Sequence, residues 1–363
     1  MIRFIIKFLL VLVWLVLDQP LLLAQQFVPV NAAMSSIKFI NEMMKRSGVP
    51  GVGMAIAKEG RFSWSEGFGL SDLERQVAAT KQTKFGLGSI SKSLTMALAM
   101  RLQEEKLFDI DAPLEQYLSE FPFKGKGITA RLIGCHLSGL DDSIDAATRN
   151  TSTTYSASEA LKLLYGEKLK YGLRERSHYT TGPFTLIAGA MEQATGKPYT
   201  ELMQHYVTQP LKMNDTVLNV RRDIIPNRTC FYMRENNQTR HAPYADPSYK
   251  HAGAGYLSTA DDMVRFGSAL LNPGFLRAES LENLFRAEKT MAGDVTPFAL
   301  GWRVVKDRAG RDMYVQPGGG HGVSSVLAIF PKEKIVIAIL SNQTGAPVGQ
   351  TLLEGIFNAF TER

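Results

Sequence analysis

The chain is poor in the residues that make disulfide scaffolds or metalloproteins. Its 363 residues include two cysteines, Cys135 and Cys230, and six histidines. A single potential bridge is no disulfide framework, so the fold must rest on a hydrophobic core. The two thiols read either as one pair or as two buried free groups. The histidines are dispersed, with no His-Glu-x-x-His and no close His/Cys cluster, so no metal or other cofactor is expected. Basic residues exceed acidic ones by only six (41 − 35) and form no run or aromatic-interleaved patch. Nucleic acid is therefore not an expected partner. No Gly-x-Ser-x-Gly occurs, which excludes the nucleophile elbow of the α/β-hydrolases. Internal repeats and low-complexity segments are also missing.

The chain does have ordinary globular composition, 45% hydrophobic and 21% charged, enough for a large core. Its one long apolar run, Phe8 to Leu17, comes after Arg3 and Lys7 and ends at Asp18 and Pro20. With Leu22-Leu23-Ala24 as cleavage site, residues 1–24 read as a secretory signal, which predicts export to a periplasm or the outside. The charge-free run is short for a full span, which favours cleavage, and an uncleaved membrane anchor is the alternative. Nothing in the pattern specifies an oligomeric state.

Helical spacing of Met34, Ile37, Ile40, Met43 and Met44 predicts a first helix to Arg46, closed by Gly48. Two apolar runs, 52–57 and 62–69, surround a Gly-containing turn and predict a hairpin. A long, mostly helical middle comes next, with helices expected near 92–105, 128–135, 156–164, 184–194, 199–207 and 263–271. Strands return at 301–305, 324–330 and 335–340, and a last helix covers 348–360. The predicted class is α/β of the α+β type. One antiparallel sheet is flanked by the N- and C-terminal helices (lobe 25–88 and 250–363), and a mainly helical lobe spans 89–249.

Ser89-Ile90-Ser91-Lys92 stands at the start of the apolar helix and puts a hydroxyl, an ammonium and unpaired backbone N–H groups within one turn. A serine hydrolase needs those groups: an amine of lowered pKa takes the hydroxyl proton, and a backbone N–H holds the developing oxyanion. Ser-x-x-Lys alone is a weak sign, since Ser35-Ser36-Ile37-Lys38 is a second copy. Only the later copy has two further stretches of the right kind downstream of it. Tyr179-Thr180-Thr181-Gly182 immediately precedes an apolar helix, and Gln316-Pro317-Gly318-Gly319-Gly320-His321-Gly322 immediately precedes a strand.

In that order these three stretches resemble the motifs of the penicillin-recognising serine hydrolases: serine β-lactamases, D-alanyl-D-alanine peptidases and related family VIII esterases. The likeness is greatest to the class C branch, in wording close to the serine β-lactamase-like proteins also found in mitochondria. Leu132 to Leu140, Ala188 to Gly196, Ala252 to Asp262 and Leu340-Ser341-Asn342 extend the likeness over most of the chain. The resemblance implies a β-lactamase/transpeptidase-like fold and a Ser89 acyl-enzyme formed from an ester, amide or peptide. It makes Lys92 a base and Tyr179 a second proton-transfer group. The N–H groups of Ser89 and Gly319 become the oxyanion hole, and Thr181, Gln316 and Gly318 the substrate contacts. Two departures matter. Thr181 stands where the second motif ends in Asn, and Gln316-Pro317-Gly318 where the third reads Lys- or His-(Thr/Ser)-Gly. Losing that cation and hydroxyl weakens charge-assisted recognition of a carboxylate, so ester, amide or peptide hydrolysis is expected over efficient β-lactam hydrolysis. The alternative is a catalytically weak protein binding peptides or cell-wall fragments. His321 is read as a loop residue turned away from the cleft.

Overall fold

The computed structural model describes residues 30–142, 153–164, 169–243 and 245–361. The proposed signal segment, 1–24, lies outside them. The chain opens with α1 (Val30–Ser47), the hairpin β1 (Gly51–Lys58) and β2 (Arg61–Asp72), and β3 (Val77–Ala78). The short β4 (Phe85–Gly86) leads into α2 (Ile90–Glu104). Next come α3 (Ala130–Gly134), α4 (Ala157–Leu164), α5 (Phe184–Thr195) and α6 (Tyr199–Met203), the last continued as a π-helical turn over Gln204–Thr208. Then follow β5 (Val217–Leu218), the hairpin β6 (Tyr232–Glu235) and β7 (Gln238–His241), α7 (His251–Ala254) and β8 (Tyr256–Ser258). After α8 (Ala260–Ala269) and α9 (Ala278–Leu284), the chain returns to strands: β9 (Phe298–Ala299), β10 (Trp302–Lys306), β11 (Asp312–Gly320), β12 (Val323–Phe330) and β13 (Ile335–Ser341). Helix α10 (Gln350–Thr361) ends the described chain.

The main sheet runs β3-β2-β1-β13-β12-β11-β10-β9, so the early hairpin pairs with the late strands as the periodicity predicts. The hairpin turn is Glu59-Gly60, both at positive φ (54° and 73°), the two-residue geometry that matches strand twist. Strand β13 is buried at every position because both sheet faces are covered. Its odd residues Ile335, Ile337 and Ile339 join Leu352, Ile356 and Phe357 of α10 and Ile40 of α1 in one core. Its even residues Val336, Ala338 and Leu340 join the larger core built by α2, α5 and α8. The two-residue side-chain period of a strand feeds two cores from one element. Ile337 is fully buried in the smaller one, and Ile337→Ala is expected to cost about 3 kcal/mol in denaturant unfolding.

Several details depart from the sequence reading. Helix α1 begins at Val30, four residues before Met34, because Ala32 and Ala33 also pack into the sheet. The irregular stretch after Asn214 contains β5, β6 and β7, too short to show a period. The glycine-rich third motif is not a strand entrance: Gln316 to Gly320 are themselves in β11, paired with β12 over Gln316↔Leu327 to Gly320↔Val323. Pairing of β11 with β10 stops at Val315. Residues 316–320 therefore present a free backbone edge, and Pro317, which lacks an N–H, is tolerated there. No helix among the described residues is long and apolar enough to cross a membrane.

Candidate active site

Segment 85–89 is tied to two neighbouring elements before α2 begins. Leu87 N–H donates to Tyr256 O (2.9 Å), and Ser325 Oγ donates to Leu87 O (2.7 Å). Gly88 is at φ +50°, and a Cβ there would stand 2.6 Å from Gly319 N. Only glycine allows the start of α2 and the free edge of β11 to approach so closely. Ser89 is the N-cap of α2, yet its side chain makes no capping bond, so the hydroxyl is left for other partners. The next hydroxyls anchor the buried helix: Ser93 Oγ donates to Gly301 O (2.7 Å) and Thr95 Oγ1 to Ala252 O (2.7 Å).

Lys92 lies one turn on and is fully buried. Its Nζ is 3.0 Å from each of Ser89 Oγ, Thr181 Oγ1 and Gly253 O. Burial, opposed by the Asp142 carboxylate and assisted by Lys250, lowers its pKa from 10.5 to about 7. A neutral amine has two N–H donors and one lone pair. In that form, with its donors on Thr181 and Gly253, Lys92 has its lone pair left for the Ser89 hydroxyl, whereas the ammonium donates to all three. The aromatic faces of Tyr179 and Phe184, with centroids 4.9 and 5.3 Å from Nζ, complete a dry enclosure.

Tyr179 approaches the same hydroxyl. Its OH is within hydrogen-bonding reach of Ser89 and accepts from Gln316 Nε2 at 3.1 Å. Burial raises its pKa above the ordinary phenol value despite those bonds, so it is protonated at neutral pH. The loop carrying it is held by residues outside the motif. Asp142 accepts Thr181 N–H (Oδ2, 3.0 Å) and Gly182 N–H (Oδ1, 2.9 Å). His136, at φ +58°, accepts Thr180 N–H at Nδ1 (3.3 Å) and packs 4.3 Å from the Tyr179 ring. Burial, then the charge of Lys92, keeps this imidazole neutral.

The structure thus brings Ser89, Lys92, Tyr179, Thr181, Gln316, Gly318 and Gly319 together. Gly319 lies against Gly88, which puts its backbone beside that of Ser89, the pair expected to hold an oxyanion. Gln316 is 2% exposed and commits its amide to Tyr179 and to Pro317 O (3.3 Å). The Thr181 hydroxyl accepts from Lys92 and keeps its own proton to donate. Gly318 fits under Leu87 O and Ser325 Oγ, where a side chain would collide. His321 departs from its expectation: it sits in the β11–β12 turn, but it lines the cleft beside Gly88 and Gly319. The cysteines do not pair; both are free, Cys135 buried and Cys230 half-buried.

Three site residues were not foreseen: Asp142, Arg303 and Lys250. The Arg303 guanidinium lies 5.7 Å over the Tyr179 ring and 5.6 Å over Phe298, and its buried Nε has no hydrogen-bond partner among the described residues. No local pattern announces it, because strand pairing alone brings β10 beside the motif. Asp142 stands two residues past the family-like stretch 132–140, and that proximity was the available sign. Replacing it removes both loop anchors and a charge that raises the Lys92 pKa. Asp142→Ala is therefore expected to lower kcat about 10–100-fold and to move the acid limb of the pH–rate profile to lower pH, read by steady-state kinetics.

Comparison with known proteins assigns the class. A model of the β-lactamase family matches residues 37–359. The chain belongs to that family, whose members are serine hydrolases. It is 26% identical to the human mitochondrial serine beta-lactamase-like protein LACTB, over 89% of this chain and 79% of that protein. It is 25% identical to the D-alanyl-D-alanine-carboxypeptidase/endopeptidase AmpH of Escherichia coli, over 76% and 75%. Among solved structures, D-amino acid amidase from Ochrobactrum anthropi superposes with a TM-score of 0.79, at 17% identity and over 91% and 98% of the two chains.

Proposed function

We propose that this protein hydrolyses an ester, amide or peptide through an acyl-enzyme on Ser89. The observation that carries the reading is Lys92: a fully buried amine, its pKa brought to about 7, 3.0 Å from a serine hydroxyl freed from capping. In this reading the neutral Lys92 takes the Ser89 proton as Oγ attacks the carbonyl. The N–H groups of Ser89 and Gly319 hold the oxyanion. Tyr179, held by Gln316, passes a proton to the leaving group, and water attacks the acyl-enzyme in the second half with the transfers reversed. Its raised pKa keeps Tyr179 protonated at neutral pH, so it still holds the proton it passes on, and leaves Lys92 as the resting base.

Substrate class is argued from the contents of the third motif. Gln316 is spent on Tyr179, and Pro317 offers no donor, so the motif presents no charge to a β-lactam carboxylate. Arg303 places one cation behind Tyr179, on the leaving-group side. The carboxypeptidase/endopeptidase and amidase named among the relatives are consistent with peptide or amide substrates. The two-lobe division, 25–88 with 250–363 and 89–249, puts the cleft at the lobe junction, and the signal read over 1–24 makes this an exported enzyme. The test is a panel of p-nitrophenyl esters, D-amino acid amides, D-alanyl peptides and a chromogenic cephalosporin with purified protein. Turnover of esters, amides or peptides above the cephalosporin supports the reading, whereas ligand binding without turnover of any substrate refutes it in favour of a binding protein.

A further inference from the structure

Next to Ser89, with Gly88 and Gly319 in its wall, lies a narrow pocket of about 60 Å³, between the β11–β12 turn and the segment leading to α7. Gly319, Asn219, Tyr249, Lys250 and His321 are among the residues that line it. The direction of β11 decides which part of a substrate enters. Tyr179, the donor to the leaving group, binds at the Gln316 end. Gly319 to His321 form the opposite end, so this pocket receives the acyl portion.

The pocket lining carries one side chain of each charge, Lys250 and Asp246, and only the ammonium is without direct hydrogen-bond partners among the described residues. Lys250 Nζ lies 5.0 Å from the Tyr249 ring centroid and makes no ion pair or side-chain hydrogen bond among the described residues. Asp246 is the one carboxylate in the lining, and it is turned to its own surroundings. It is fully buried and accepts from Ser248 N–H (2.9 Å), Thr154 Oγ1 (3.0 Å) and Arg221 N–H (3.2 Å). His321 is held below the ordinary imidazole range, by burial first and Lys250 second, so at neutral pH it offers a neutral ring. The field of Lys250 also reaches Lys92. An unpaired ammonium and a neutral imidazole lining the same narrow pocket fit a carboxylate.

We infer that this pocket is an acyl-side specificity subsite for an acyl group bearing a carboxylate, with Lys250 as its charge partner. The inference rests on the Ser89 acyl-enzyme reading, and its test separates the two. Purified protein is assayed at low ionic strength with three p-nitrophenyl esters of similar chain length: butyrate, the monoester of glutaric acid, and 4-aminobutyrate. The glutarate ester is expected to exceed butyrate in kcat/KM by about tenfold. That ratio falls to about one in Lys250→Ala, and Lys250→Glu turns the preference toward 4-aminobutyrate. Ratios are compared because losing Lys250 also raises the Lys92 pKa, which changes the rates of all three esters together. A wild-type ratio near one, or a ratio unmoved by both substitutions in variants that melt like wild type, overturns the subsite. If no ester is turned over and Ser89 is not acylated, the failure belongs to the acyl-enzyme reading. The subsite is then read by calorimetry with glutaric acid monoamide on Ser89→Ala protein: binding abolished by adding Lys250→Glu supports it, and no binding overturns it.

Discussion

Ser89→Ala is expected to remove esterase and amidase turnover by at least a thousand-fold, while the thermal transition stays within a few degrees of wild type. The Ser89 hydroxyl makes no capping bond, so its loss costs the helix little. That hydroxyl lies 3.0 Å from Lys92 Nζ and in hydrogen-bonding reach of the Tyr179 phenol. Removing it takes away the nucleophile and leaves the rest of the cleft intact. The result is read from kcat/KM on the best substrate of the panel, beside a melting curve of the same preparation.

Lys92→Met separates activity from stability, because it acts on them in opposite directions. Activity should fall by about a hundred- to ten-thousand-fold, as for loss of a positioned general base. In wild type, the base form of Lys92 becomes populated as pH rises through about 7, so kcat/KM should climb across that value and then level. The limb should be absent from the residual activity of the variant. Stability runs the other way. The folded pKa of about 7 lies below the ordinary 10.5, so between these values the unfolded chain binds more protons than the native one. Native stability therefore rises with pH across that window, and the full cost of the buried ammonium is present below about 7. Lys92→Met removes the cost, and the variant should be more stable than wild type by roughly 2–4 kcal/mol at pH 6, the gain shrinking toward pH 10. Denaturant unfolding at the two pH values checks this. An equal effect at both would contradict the burial argument.

The grouping of the proposed catalytic residues was legible where they are close in sequence. Ser89 and Lys92 are one helical turn apart, and Tyr179 directly precedes a strongly apolar helix, so local spacing placed them. The sheet was legible for the same reason: β1, β12 and β13 are long enough to show their apolar runs. The third motif lies beside Ser89 and Tyr179, but it is not a strand entrance. Gly318-Gly319-Gly320 and Pro317 have no strand propensity of their own, and β12 supplies the ladder that makes them a strand. The residues that escaped, Asp142, Arg303 and Lys250, act from separate segments. Asp142 reaches the Tyr179 loop across 39 residues, Arg303 is delivered by strand pairing, and Lys250 meets the cleft only because its segment folds back against the β11–β12 turn. Side-chain charge alone does not announce such positions, since Lys250 looks in the sequence like any solvated lysine.

Relatives and geometry both point to one reaction type, and its direct mark is covalent. The most immediate measurement is intact-mass and peptide-mapping mass spectrometry of purified protein after treatment with a fluorophosphonate, and after rapid acid quench during turnover of its best ester. One adduct of the expected mass is predicted, mapped to Ser89, absent from Ser89→Ala and strongly slowed in Lys92→Met. An unmodified Ser89 under conditions that label an active β-lactamase-family hydrolase, or an adduct on another residue that sustains turnover, would contradict the Ser89 acyl-enzyme.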